Sequence, residues 1–219
     1  MEPLFEVVVP TTTAASRRLT TAANVRSIIG SPTGDDTKIE TIIDRVSAAA
    51  AKYCQLARDA AGAEPTFGSE TVRATWYRTN EERSQHLLLP WRAPITSITS
   101  MVENGVTLTA GTHYKLFGGA RMLRLSDDAP RCWPCSKIVA TYVGGWTLPA
   151  DVPPDLEDKV IEQVKATYLG GDRDPNIKSE TVDQVYSATY DVPVGDGVGG
   201  SGFLESFQTA LGPYKDWSI

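Results

Sequence analysis

The chain has few cysteines, no long apolar run and no stretch of basic residues. Its three cysteines, Cys54, Cys132 and Cys135, are an odd number in 219 residues, which argues against a disulfide scaffold and favours a reducing environment. No apolar segment approaches the roughly 18 residues that a membrane-spanning helix needs. The N-terminus has neither the basic region nor the long apolar region of a secretory signal. We therefore expect no association with a membrane.

Acidic residues outnumber basic ones. Asp and Glu total 27 against 21 Lys and Arg, which gives a formal net charge of −6. This excess argues against tight, sequence-independent binding to DNA or to anionic lipid. The hydrophobic fraction of 41% is ordinary for a globular protein. The length allows one domain with appendages or two small domains.

Two helices are predicted in the first third of the chain. Thr20 is a candidate N-cap for a short helix over 21–29 that Gly30 ends. Its inward positions are Val25, Ile28 and Ile29. A second helix begins near Asp35 and continues to about Ala61, roughly 40 Å. Apart from the adjacent pair Ile42 and Ile43, its apolar stripe advances in steps of three or four residues. The stripe consists of Ile39, Ile42, Ile43, Val46, Ala50, Tyr53 and Ala57.

The middle of the chain, residues 69–143, is predicted to be rich in β-strands. Residues 71–78 alternate between apolar and polar side chains. Asn104–Gly105 is a strong signal for a two-residue hairpin turn. Further strands are expected over 86–90, 95–102, 106–108, 114–117, 122–125 and 137–143. Together these strands predict a small antiparallel sheet or barrel.

A third helix and a final β element follow. The helix is expected over 155–169, after two prolines. Its predicted buried face consists of Leu156, Val160, Ile161, Val164 and Tyr168. Residues 179–190 alternate again, which predicts a last strand or hairpin.

The last 25 residues combine a glycine-rich tether with an apolar helix. Residues 195–202 are typical of a flexible tether, and the apolar residues from Phe203 to Leu211 have helical spacing. A helix this short is marginal alone, so its apolar stripe must be buried, either against its own domain or in a partner. We favour the partner and assign docking to Phe203, Leu204, Phe207, Leu211, Tyr214, Trp217 and Ile219.

These elements predict an α+β fold with an N-terminal helix pair whose second helix is long, a β-rich middle, a third helix and a tethered C-terminal arm. We expect three regions. An extended arm covers residues 1–18, a core covers 19–190 with helices over 20–61 and 155–169, and the tether with its docking arm covers 191–219.

Cys132-Trp133-Pro134-Cys135 is the pattern most suggestive of an enzyme. In thiol oxidoreductases such a pair precedes a helix whose N-terminus lowers the thiol pKa, whereas here a strand pattern follows. Zinc needs four ligands, and the other candidates, Cys54, His86 and His113, have no paired spacing. A turn with two inert thiols is the favoured interpretation, with a small thiol or metal protein as the alternative from another class.

The remaining charged residues give no catalytic or phosphate-binding pattern. The pairs Asp35–Asp36 and Asp127–Asp128 are typical of helix caps and turns. The arginines are too sparse for a DNA-binding stripe, although they could contact phosphate or a neighbour's carboxylate; they are Arg17, Arg18, Arg121, Arg124 and Arg131. We expect no enzyme activity, cofactor or metal.

Several weak motifs occur in one order along the chain. They are DDTKIETII at 35–43, LPWRAPITSI at 89–98, YVGGW at 142–146, VPPDL at 152–156, SETVDQVYSATY at 179–190 and LGPYK at 211–215. This order resembles the head–tail connector (adaptor, head-completion) proteins of long-tailed double-stranded DNA bacteriophages. The match spans about residues 19–215, and the segments 1–18 and 217–219 depart from it.

The resemblance implies a non-enzymatic virion protein of the neck, assembled in the host cytoplasm. It implies a ring, with one copy per subunit of a twelve-fold portal, that extends the DNA channel and helps retain the packaged genome. The implied partners are the portal protein, neighbouring copies and a stopper or tail-terminator protein, while DNA passes through the lumen without specific binding. Small residues such as Ala48 to Ala51 would let helices approach around the ring. The alternative within this class is a stopper or tail-terminator ring subunit.

Overall fold

The structure is a computed structural model. It describes residues 3–11, 13, 15–30, 33–77, 84–90, 94–134, 136–170, 179–182, 186–189 and 204–215. The helices are α1 (Ala22–Ile29), α2 (Asp36–Tyr53), α3 (Pro154–Gly170) and α4 (Glu205–Leu211). The strands are β1 (Leu4–Val9), β2 (Glu70–Tyr77), β3 (His86–Leu88), β4 (Ile95–Glu103), β5 (Val106–Thr107), β6 (Tyr114–Phe117), β7 (Arg121–Ser126), β8 (Ala129–Arg131), β9 (Lys137–Gly144), β10 (Ser179–Val182) and β11 (Tyr186–Thr189).

The strands form antiparallel sheets. The largest has the order β1-β2-β9-β4-β5. In a smaller sheet β7 lies between β3 and β6 and also pairs with β8. The expected last β element is the hairpin of β10 and β11. The predicted mixed α+β fold is therefore confirmed, with antiparallel sheets in the middle of the chain.

The first core lies between the two larger sheets. Strand β9 buries Ile138, Ala140 and Tyr142 on one face because its side chains alternate. The smaller sheet contributes Met122, and the Trp133 indole closes the contact by donating a hydrogen bond to the Met122 carbonyl at 3.1 Å. The residue that follows Cys132 therefore packs in this core.

The second core is helical. α1, α2 and α3 direct apolar side chains to a common centre, and α4 completes it. The fully buried members on the first three helices are Val25, Ile39, Ile43, Ala50, Ala51, Leu156, Val160 and Val164. The predicted stripes on α2 and α3 therefore mark the core faces correctly up to Tyr53 and Tyr168, which are partly buried against the same cluster.

A tight backbone contact joins the two cores. Gly145 follows β9 with φ of 103°, and a Cβ at this position would lie 2.3 Å from the Gly68 carbonyl oxygen. Trp146 follows directly and stacks on Phe67 at 5.5 Å between ring centroids. The chain thereby passes from the β core to the helical core over two residues.

α1 differs from its prediction in two ways. The N-cap is Thr21, whose hydroxyl accepts a hydrogen bond from the Asn24 amide at 3.1 Å. Thr20 is buried and donates to Glu157 at 2.8 Å instead. Ile28, predicted to face inward, is 54% exposed because the short helix buries Val25 alone.

α2 ends at Tyr53, eight residues before the predicted end. Gln55 adopts a left-handed φ of 55°, which breaks the helix. The chain then runs beside β1, where the Ala60 amide donates to the Phe5 carbonyl at 2.8 Å. Ala57 contacts the β core and leaves the predicted helical stripe.

Two β elements lie where the sequence predicted other structure. Residues 4–9 of the expected N-terminal arm are extended, but they are part of the large sheet and bury Phe5. Residues 129–131 form β8, between the strands predicted over 122–125 and 137–143. Asp127 and Asp128 make the turn, with φ of 52° and 61°. The division of the chain into three regions stays a prediction.

Candidate interaction site

α4 lies in a groove of its own chain. Phe207 and Leu211 are both 0% exposed and belong to the helical core. They lie one helical turn apart, so one face of this seven-residue helix is buried. Leu204 and Tyr214 pack at the two ends of the segment and are partly buried.

Polar and aromatic contacts orient the segment. The Leu204 amide donates to the Gln163 side-chain oxygen at 2.8 Å, which satisfies a donor just before the helix begins. The Tyr214 ring meets Trp146 edge-on at 5.6 Å, and its hydroxyl lies 3.4 Å from Asp155. The Lys215 ammonium lies 4.1 Å from the centre of the Tyr53 ring. These contacts fix both ends of α4 against α2 and α3.

Cys54 forms the floor of this groove. Its thiol lies 3.7 Å from the Leu211 carbonyl oxygen. Burial raises the pKa of Cys54 to about 12, from an unperturbed 9.0. The thiol is therefore protonated at neutral pH, as expected for a structural rather than a nucleophilic cysteine.

The seven predicted docking residues have different positions in the structure. Leu204, Phe207, Leu211 and Tyr214 contact the chain's own core. Phe203, Trp217 and Ile219 lie outside the described residues. A side chain that is fully buried in its own chain cannot contact a partner at the same time. The docking role of this set stays a prediction, and for Phe207 and Leu211 it requires that α4 leave its groove.

The other sequence candidates are dispersed. Cys132 is exposed, Cys135 lies outside the described residues, and the expected strand after them is β9. His113 accepts a hydrogen bond on Nδ1 from the Thr109 amide at 2.9 Å. Among the described residues no three His, Cys, Asp or Glu side chains are placed to hold a metal ion. No described helix is long and apolar enough to cross a membrane.

The arginines that could have contacted phosphate mostly have internal partners. Arg124 is buried and donates from Nε to Glu103 at 2.8 Å. Arg131 approaches the same carboxylate at 3.8 Å. Arg18 donates to Asp44 at 2.6 Å, and this hydrogen bond raises the pKa of Arg18. These side chains stabilise the fold.

A basic and apolar surface on the smaller sheet was missed in the sequence. Phe117 and Leu88 are 57% and 41% exposed, and Arg121 lies between them in the register of the sheet. The His86 ring stacks on Phe117 at 6.4 Å. These side chains share one exposed face only because of how β3, β6 and β7 pair. The surface therefore cannot be recognised before the register of these three strands is known.

The chain shares its fold with proteins from gene transfer agent (GTA) particles. A chain from the neck of an empty GTA particle, computed with C6 symmetry, has a TM-score of 0.52 and 13% identity over 98% of this chain and 96% of that chain. One from the neck of the native GTA particle, computed with C12 symmetry, has a TM-score of 0.51 and 13% identity over 95% of this chain and 94% of that chain. No protein-family model and no curated protein matches the sequence. At 13% identity the likeness shows the fold.

Proposed function

We propose that this chain is a structural, non-enzymatic protein of a phage-like neck: a head–tail adaptor that forms a ring under the portal. One observation carries the proposal. The fold likeness to neck chains covers nearly the whole of this chain and of those chains.

The ring would extend the DNA channel, help retain the packaged genome and offer a surface to the next neck or tail protein. The formal net charge of −6 suits such a channel, because carboxylates repel phosphates and keep passing DNA from adhering. Identical contacts repeated around a ring add as avidity. Weak contacts between single copies would then be enough to hold the neck.

The C-terminal segment is the proposed portal contact, and α4 limits how it can act. Its buried face is already occupied by the helical core. Portal docking through Phe207 and Leu211 would therefore require α4 to leave the groove of its own chain and to bind a groove on the portal. A truncation after residue 202 would remove the docking segment and also uncover the core, so it does not leave the folded protein intact.

The test is electron microscopy of lysates from a phage that carries a stop codon early in this gene. We expect tailless heads beside free tails, with DNA lost from the heads. Complete particles would exclude a role at the head–tail junction. Binding of the purified chain to purified portal then separates an adaptor from a stopper or tail terminator, which would bind the next ring or the tail tube.

A matched control addresses the thiol alternative. Cys132→Ser/Cys135→Ser removes both thiols of the CxxC pattern and leaves Cys54 in its buried position. Unchanged particle yield supports the structural function. Loss of particles from a variant that still folds would favour a thiol or metal role.

A further inference from the structure

α2 carries an exposed row of basic and small residues. Successive members are three and four positions apart, so they lie on one side of the helix. All are exposed, and they are Lys38, Thr41, Arg45, Ala48 and Lys52. We name this set the basic row. The predicted contact through Ala48 to Ala51 is thereby corrected, since Ala50 and Ala51 are fully buried and Ala48 alone belongs to the row.

The row is positive because the acidic residues of α2 lie on another side. Asp36 pairs with Arg26 of α1. Glu40 and Asp44 pair with Arg18, at 3.1 and 2.6 Å. These carboxylates are paired within the subunit, so cations predominate on the outer side of α2. Of these cations, Lys38 lies 4.8 Å from the centre of the Tyr168 ring and Lys52 pairs with Glu64.

α3 carries an exposed row with the same spacing and the opposite charge. Its members are Asp155, Asp158, Glu162, Lys165 and Leu169. We name this set the acidic row. Each row covers 14 residue steps, about 21 Å of helix. Spacings of three and four residues are those through which two helices pack side by side.

Contacts within the subunit fix the direction and level of the two helices. Tyr168, near the end of α3, donates a hydrogen bond to Asp35, just before α2 begins. At the other end, Tyr214 contacts Asp155 while Lys215 lies over Tyr53. α2 and α3 are therefore antiparallel, and the start of one lies level with the end of the other.

We propose that the basic row of one copy packs on the acidic row of the next copy, and that this contact closes the ring. The inference rests on the proposed ring. In the proposed arrangement the ring axis runs along the helices, and rotation about that axis preserves their direction and level. Arg45 then lies opposite Glu162, and Lys52 lies opposite Asp155. The small side chains Thr41 and Ala48 sit between the charges and allow the helices to approach closely.

The contacts that members of the two rows make within each subunit do not prevent this interface. The Tyr214 hydroxyl lies 3.4 Å from Asp155, and two ion pairs involve the rows. Lys52 pairs with Glu64 at 3.1 Å, and Lys159 pairs with Glu162 at 2.7 Å. All four side chains are about half exposed, and surface pairs of this kind contribute about 0–1 kcal/mol. They exchange readily for pairs that are partly desolvated between two copies. The contact is head-to-tail, which generates a closed ring when the rotation permits.

Charge reversal tests the pairing. Arg45→Glu/Lys52→Glu and Asp155→Lys/Glu162→Lys should each abolish the ring, because each brings like charges together. The quadruple variant, which reverses both rows, should restore it. Arg58→Glu/Lys137→Glu reverses two exposed cations that lie outside α2 and α3 and should leave the ring unchanged. Ring formation is counted by native mass spectrometry and in particle necks by electron microscopy. Rings formed by both double variants at the wild-type level would overturn the proposal, as would a quadruple variant that folds and forms none.

A cross-link in assembled particles separates this inference from the proposed function. Arg45→Cys/Glu162→Cys in the Cys132→Ser/Cys135→Ser background should form disulfides between copies and give a ladder on non-reducing gels. Either substitution alone should give no ladder. Necks that contain this chain without the ladder would overturn the α2–α3 contact and leave the function standing. Necks that lack the chain altogether would overturn the proposed function itself.

Discussion

At the residue scale, a buried guanidinium joins the smaller sheet to the end of β4. Arg124 contacts Glu103 through Nε and Nη2 and donates from Nη1 to the His113 and Leu125 carbonyls, at 2.6 and 2.7 Å. Removing Glu103 would leave this cation buried with fewer partners. We expect Glu103→Ala to lower the free energy of unfolding by about 3–5 kcal/mol in urea titrations.

Glu6→Ala is the matched control for that prediction. Glu6 pairs with Arg73 at 3.6 Å, and both side chains are exposed. Its removal should cost less than about 1 kcal/mol. Equal losses for the two variants would show that the Arg124 pair is no more than a surface contact.

A second residue-scale prediction concerns the junction between the cores. Gly145→Ala places a Cβ against the Gly68 backbone, which cannot move as a flexible side chain can. Gly105 also has a positive φ, of 84°, but has open space around it. We expect Gly145→Ala to lose roughly 3 kcal/mol or more, and Gly105→Ala about 1–2 kcal/mol from the backbone conformation alone. Similar melting temperatures for both variants would contradict the clash.

The structural roles of Arg124 and Gly145 could not be predicted from the sequence alone. Arg124 and Glu103 are 21 positions apart, and only the pairing of β7 with β6 and β8 brings the guanidinium to the carbonyls it binds. Gly145 follows a second glycine in the sequence and looks like an ordinary turn. Its requirement for glycine comes from Gly68, on the other side of the contact.

At the element scale, α4 should open locally before the protein unfolds. Its docking depends on one buried face, and seven residues are too few for a helix to be stable alone. Phe207→Ala should cost about 3–5 kcal/mol of packing and expose Cys54. The readout is thiol labelling at pH 8 in the Cys132→Ser/Cys135→Ser background. We expect labelling that is slow in the parent and much faster in the variant.

The raised pKa of Cys54 is one reason why its labelling should be slow in the parent. A thiol with a pKa of about 12 has a thiolate fraction roughly a thousandfold below that of a thiol at 9.0. Thr209→Ala, on the exposed side of α4, is the control and should label as slowly as the parent. Because the folded pKa is raised, the contribution of this thiol to stability falls as pH rises between about 9 and 12.

Helix positions were predictable where periodicity is strong. α3 is confirmed with its buried face, since five apolar residues repeat at helical spacing without interruption. The end of α2 was not predictable, because the stripe continues to Ala57 in the sequence while Gln55 turns the chain toward β1. Pairing with a distant strand overrode the local helical preference there.

At the scale of the whole molecule, the order of elements was the predictable part. Helix pair, β-rich middle and third helix appear as the sequence indicates. The surfaces on which the N-terminal and C-terminal segments pack were not predictable, since short apolar segments such as those near Phe5 and Phe207 could pack on any apolar surface. The structure buries both in the chain's own cores. Hydrophobic pattern identifies a face that must be covered, but not the surface that covers it.

The last prediction asks which surface covers α4 in the assembled neck. Leu211→Cys in the Cys132→Ser/Cys135→Ser background places a second thiol beside Cys54, whose sulfur lies 3.7 Å from the Leu211 carbonyl. Oxidation should join α4 to the core by a disulfide, and reduction should release it. If portal docking uses the buried face of α4, the oxidised protein should lose portal binding and the reduced protein should regain it. Equal binding in both states would assign the portal contact to another surface, because the same chain with α4 held in its groove would then be competent.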